Sequence, residues 1–119
     1  MLCTHASNVT GTVLPIKQIG HFCRQQGILF AVDAAQSAGV LNIDMADMCI
    51  DYLCIAPHKG LYAPMGTGML IIANTPPSTI IEGGTGTRSV DVNQPTELPE
   101  KFESGTVNLP GIAGIGAGI

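Results

Sequence analysis

Three places in this chain put chemically capable side chains just past an apolar run. Asn8 follows the extended start Leu2-Cys3-Thr4, Asp33 follows Ile28-Leu29-Phe30-Ala31-Val32, and His58-Lys59 follows Tyr52-Leu53-Cys54-Ile55-Ala56. In an open parallel sheet, ligands bind outside the carboxyl ends of the strands. If the three runs are neighbouring parallel strands, their polar ends meet in one crevice. A carboxylate that ends an apolar strand is poorly solvated and needs a cationic or hydrogen-bonding partner. A lysine arriving at the same crevice, in surroundings that disfavour its charge, becomes a nucleophile. Carboxylate plus unprotonated lysine is what a pyridoxal phosphate site requires. The lysine forms the Schiff base, and the carboxylate holds the pyridine nitrogen protonated so that the ring accepts electrons.

Each residue also has a plainer reading. Taken alone, Asp33 is a cap or turn residue, Lys59 a surface charge, His58 a hydrogen-bonded turn histidine and Gln36 a loop amide. No glycine-rich stretch matches the dinucleotide GxGxxG or the phosphate-binding GxxxxGK[ST] pattern. The four cysteines, Cys3, Cys23, Cys49 and Cys54, form no CxxC pair. Cys49, Cys54 and His58 do not fit a zinc spacing, so reduced thiols among aliphatic residues are expected and no metal site is assigned.

The elements that must position these groups follow from periodicity and punctuation. A strand is expected at Leu2 to Thr4, running into the polar turn His5-Ala6-Ser7-Asn8. A helix follows, with Pro15 in its first turn, Gly27 as its stop, and Ile16, Ile19, Phe22 and Cys23 on its apolar side. Residues 28–32 form a continuous apolar run of strand length, and a run without alternation implies burial on both faces. Residues 34–40 read as a turn, and residues 44–48 as one helical turn. Further strands are expected over residues 52–56 and 69–73, and the connection between them is too short for a crossover helix, so they should pair antiparallel. Residues 74–101 are loop-rich, and a helix opens near Pro110. The chain would then begin in a strand and stop in a helix, so it reads as the middle of a larger domain.

Composition sets the outer limits. With 119 residues, 45% hydrophobic and only 12% charged, the chain suits one small globular domain and not a disordered segment. A formal charge of −4 with only five basic residues argues against nucleic acid as a partner. No apolar run reaches the roughly 18 residues of a membrane span, and no hydrophobic signal core opens the chain. A cytoplasmic protein without membrane contact is the expectation.

The motifs themselves are recognisable. Thr4-His-Ala-Ser-Asn-Val-Thr-Gly-Thr12, Val32-Asp-Ala-Ala-Gln-Ser-Ala-Gly39, His58-Lys59 with Pro64-x-Gly-x-Gly68, and Phe102-Glu-Ser-Gly-Thr-Val-Asn108 resemble the class V aminotransferase family. The branch they most resemble is the cysteine desulfurases. The resemblance implies an α/β fold: a partial, mainly parallel sheet with helices, the central portion of the large domain of a fold-type I pyridoxal phosphate-dependent transferase. Residues 1–119 would be an incomplete cofactor-binding large domain. Lys59 matches the Schiff-base lysine that also moves protons in turnover. Asp33 matches the partner of the pyridinium nitrogen, Gln36 the residue on the ring's phenolic oxygen, and Asn8 a residue near that oxygen and the substrate carboxylate. His58 matches a phosphate contact, and Thr106 a threonine that reaches the phosphate of the neighbouring subunit, so a homodimer is expected.

The implied reaction takes L-cysteine to L-alanine and leaves a persulfide on the enzyme, with a sulfur-acceptor protein as a further partner. Another class V transamination or lyase reaction and a non-catalytic fragment are the alternatives. Ala56 departs from the pattern, since the family often carries Ser or Thr there as a phosphate contact. The carboxylate-gripping arginine and the sulfur-accepting cysteine of the family have no counterpart in these residues.

Overall fold

A computed structural model of the chain describes residues 1–74, 76–79, 81–85, 88 and 90–119. Two compact units are present, one formed by Met1–Thr75 with Pro110–Ile119 and the other by Pro76–Leu109. The first unit carries a four-stranded sheet in the order β1-β2-β3-β4: Leu2–Thr4, Ala31–Asp33, Tyr52–Ile55 and Met69–Ile72. The strands β1, β2 and β3 are parallel, and β4 runs antiparallel to β3. This is the expected mainly parallel α/β sheet, with the short connection turning the last strand back as expected.

Helix α1, Ile16–Gln25, joins β1 to β2. Pro15 occupies its N-cap, and Gly27 takes the left-handed conformation (φ +64°) that ends it. Its buried positions are Ile16, Gly20 and Cys23, spaced four and then three apart, so the helix presents one stripe to the sheet. Phe22, expected on that stripe, is 57% exposed. Gly20 lies inward because a Cβ there would stand 1.9 Å from the carbonyl oxygen of Met48. The turn that supplies this carbonyl is the expected single helical turn: Met48 N–H donates to Asp44 O at 2.9 Å, and Asp44 Oδ1 accepts from Ala46 and Asp47 N–H.

Register sorts the sheet into two faces. The row Cys3, Val32 and Leu53 faces the core, where Ile16, Cys23, Phe30, Val32, Ala34, Ala38, Ile50 and Leu53 form one cluster, while Ile71, in register with Leu53 on the outer strand β4, is 40% exposed. The row Thr4, Asp33, Cys54 and Leu70 lies on the other face. Burial on both faces, expected from the run at residues 28–32, is not what the described residues give. Strand β2 is shorter and later than that run, because only Ala31, Val32 and Asp33 find register partners. Leu29 is 60% exposed, its carbonyl held by the Met1 ammonium at 2.7 Å. One helix from one crossover covers one face.

Helix α2, Leu109–Gly118, buries Gly111 and Ile115. In the second unit, a 3₁₀ turn covers Glu100–Phe102, and Gln94 is buried with its amide donating to Glu100 O at 2.8 Å. Among the described residues, no helix is long and apolar enough to cross a membrane.

Candidate functional site

The parallel register brings the carboxyl ends of β1, β2 and β3 to one edge of the sheet. Past β1, Ala6 bridges to Val13, closing a loop whose tip holds Asn8. Ser7 Oγ accepts from the N–H groups of Val9 and Thr10, both at 3.2 Å, which shapes that tip, and Asn8 is exposed on it. At the end of β2, Asp33 pairs in register with Thr4 on one side and Cys54 on the other. Its Oδ1 accepts from Ala35 N–H at 2.9 Å, which starts the turn that carries the half-buried Gln36.

After β3 the chain turns at once. Lys59 N–H donates to Ala56 O at 3.1 Å, Tyr62 N–H to Lys59 O at 3.2 Å and Ala63 N–H to Pro57 O at 3.1 Å. His58 is half-buried and Lys59 exposed. The expected shielding is therefore not supplied by the described residues: the Asp33 carboxylate is exposed, its partner is a backbone N–H, and the Lys59 amine is open to solvent. Thr106 is an exposed residue of the second unit and is described with it.

Burial and charge leave marks around this edge. Burial first, and the neighbouring Asp33 carboxylate second, push the Cys54 thiol above its usual range. Burial lowers the pKa of His5, which follows β1 directly and is only 5% exposed. Four buried side-chain atoms lack a hydrogen-bond partner among the described residues: His5 Nδ1, Ser37 Oγ, His58 Nδ1 and Thr67 Oγ1. His5, Ser37 and His58 follow β1, β2 and β3, and Thr67 precedes the antiparallel β4, so all four sit at the same edge. Such an atom costs about 1–3 kcal/mol when left unpaired. His5 was placed in a polar turn by the sequence; the criterion that singled out Asn8, a position just past a strand, applies to it equally.

All four cysteines are free thiols. Among the described residues, no group of three His, Cys, Asp or Glu side chains could hold a metal ion.

Comparison with known proteins agrees with this architecture. The aminotransferase class-V family profile matches residues 1–119. A probable cysteine desulfurase of Methanothermobacter thermautotrophicus is 39% identical over 127 residues, covering 98% of this chain and 30% of that protein. The apo cysteine desulfurase of Thermococcus onnurineus is similar in structure, with a TM-score of 0.78 at 33% identity over 98% of this chain and 30% of that one. SspA, solved in complex with cysteine, gives a TM-score of 0.75 at 32% identity over 98% of this chain and 31% of that one. The chain thus spans about 30% of the length of the relatives it matches. Its sheet is that of the fold-type I transferases. Profile, relatives and strand order agree, and the chain belongs to the class V aminotransferase family.

Proposed function

We propose that these residues form part of a pyridoxal phosphate-dependent cysteine desulfurase, which takes L-cysteine to L-alanine and passes the sulfur to an enzyme thiol as a persulfide. The observation that carries this reading is the register. Asp33 ends β2, and His58-Lys59 opens the turn after β3, on parallel neighbours with their carboxyl ends at one edge. The names of the relatives and the cysteine held by SspA support the substrate class.

The residues present suit this cofactor. Unpaired buried atoms at the edge, His58 Nδ1 among them, are acceptors or donors awaiting a polar partner. Asp33 Oδ1 accepts from Ala35 N–H, which leaves the exposed carboxylate's Oδ2 as the oxygen for the ring nitrogen. Such a charge-assisted contact is worth about 1.5–3 kcal/mol. Asn8, Gln36 and His58 are the further groups that would hold the cofactor, with Thr106 doing so from the second subunit of a homodimer. When bound, the cofactor supplies an electron sink for the substrate carbon that loses a proton. Lys59 supplies the amine that anchors it, and then takes and returns the proton at the substrate Cα. The exposure of Lys59 lets its amine reach both tasks. Cys54 is not assigned as the sulfur acceptor in this reading: it is half-buried within β3, where burial and the Asp33 carboxylate both raise its pKa.

The test is L-cysteine turnover by the intact protein loaded with pyridoxal phosphate. Alanine and sulfide-equivalent sulfur should appear one for one. Lys59→Ala should lower the rate about 100-fold or more and abolish borohydride trapping of the cofactor on the protein. Loaded protein that releases no alanine from cysteine would overturn the desulfurase reading.

A further inference from the structure

The two turns that carry these residues touch through glycine on both sides. The turn after β2 runs from Asp33 and Gln36 to Gly39, and the turn after β3 holds His58, Lys59 and Gly60. A Cβ on Gly60 would lie 2.1 Å from the carbonyl oxygen of Ala38 and 3.2 Å from Val40 Cγ2. A Cβ on Gly39, whose φ is +79°, would lie 2.5 Å from the carbonyl oxygen of Gly60. The obstructing oxygens are backbone atoms, so no side-chain rotation makes room. On the far side of the Lys59 turn, a Cβ on Gly118 of α2 would lie 2.0 Å from Leu61 O.

Each turn is braced within itself. Ala38 N–H donates to Ala34 O at 2.9 Å and Val40 N–H to Ser37 O at 3.0 Å, while Lys59 N–H donates to Ala56 O at 3.1 Å. A displacement at the glycine contact therefore moves Lys59, its chain neighbour, instead of being absorbed.

We propose that Gly39 and Gly60 are positioning residues, whose backbone contact fixes the Lys59 turn against the Asp33–Gln36 turn and sets where the lysine amine meets the cofactor. This rests on the reading of Lys59 as the cofactor-anchoring lysine. A misplacement of about 1 Å costs on the order of 100-fold in a reaction that depends on alignment, and a methyl at either glycine demands a shift of that size.

The test uses the intact protein with pyridoxal phosphate as the probe. In attachment, Lys59 Nζ bonds to the aldehyde carbon and water leaves; borohydride then delivers hydride to that carbon and makes the bond permanent, and the mass of the Lys59 peptide reports it. Gly60→Ala and Gly39→Asn are compared alone and in a Lys59→Ala background. Asn tolerates the left-handed backbone, so Gly39→Asn isolates the steric contact. The single variants should attach cofactor about 10- to 100-fold more slowly. In the Lys59→Ala background, the same changes should weaken non-covalent cofactor affinity by a clearly smaller factor than they slow attachment, because His58 moves with the turn while Asp33 and Gln36 keep their places relative to each other. Gly27→Ala, at φ +64° with no atom within 4 Å, adds the backbone strain without the contact and should attach cofactor at the unmodified rate. Equal weakening in both backgrounds, unchanged attachment, or failure of both glycine variants to fold would each overturn the proposal. An unmodified protein that is never trapped at Lys59 would instead overturn the assignment of the lysine, and this inference with it.

Discussion

Asp33 and Cys54 are neighbours in register on one sheet face, and the thiol carries the mark of the carboxylate. Burial is the larger cause of its raised pKa and the Asp33 charge the second, so Asp33→Asn should lower it. At a fixed pH below that pKa, more thiolate means faster alkylation. Peptide mass spectrometry after iodoacetamide should show Cys54 reacting faster in Asp33→Asn, with Cys49 unchanged as the internal standard. His5 gives a second residue-scale expectation. Its buried imidazole resists protonation in the fold, so its pKa lies below the usual 6.5. As the pH falls from 6.5, the unfolded chain takes up a proton that the folded chain refuses, and stability falls; above 6.5 the effect vanishes. The thermal midpoint of the unmodified protein should therefore drop more steeply with acid than that of His5→Gln. Asn8, Asp33 and Lys59 were legible because each ends an apolar run. The burial of His5 was not, because a histidine beside Ala6, Ser7 and Asn8 has no periodicity to reveal which way it faces.

Elements are tied together at the opposite edge by one carboxylate. Asp51 is buried; its Oδ2 accepts from Phe30 N–H at 2.8 Å and its Oδ1 from Asn74 Nδ2–H at 3.1 Å, with Arg24 Nη2 at 3.9 Å. It thus links the approach to β2, the start of β3 and the exit from β4. Asp51→Ala would leave a buried N–H unpaired and should cost about 2–3 kcal/mol, read by urea unfolding, with the m-value unchanged. A loss well under 1 kcal/mol would show that solvent replaces the carboxylate. The sequence offered no hint of this role, since an acid between Ile50 and Tyr52 reads as a strand boundary. Boundaries were also where element expectations shifted. The run at residues 28–32 is apolar throughout, yet pairing moves β2 to Ala31–Asp33, because hydrogen-bond register with β1 and β3 decides a strand and hydrophobicity does not. The antiparallel return of β4 was legible from connection length alone, and it is present.

At the scale of the molecule, the sheet has one covered face and one open face, a division that continuous apolar strands cannot disclose. The row through Asp33 also carries apolar groups. Leu2 on β1 is 69% exposed and Leu70 on β4 is 45% exposed, and β1 and β4 are the outer strands of the sheet. Outer strands with bare apolar side chains are templates for pairing with another chain. A formal charge of only −4 over 119 residues opposes such contact weakly. The 119-residue chain should therefore associate as its concentration rises, visible as growing hydrodynamic size in light scattering. The double variant Leu2→Lys with Leu70→Lys puts a charge on both outer strands of the open face and should suppress that growth. Val9→Lys removes a still barer apolar residue from the Asn8 loop, away from the strands, and should not. Suppression by Val9→Lys as strong as by the strand pair would assign the association to apolar content in general and not to the open face and its edges.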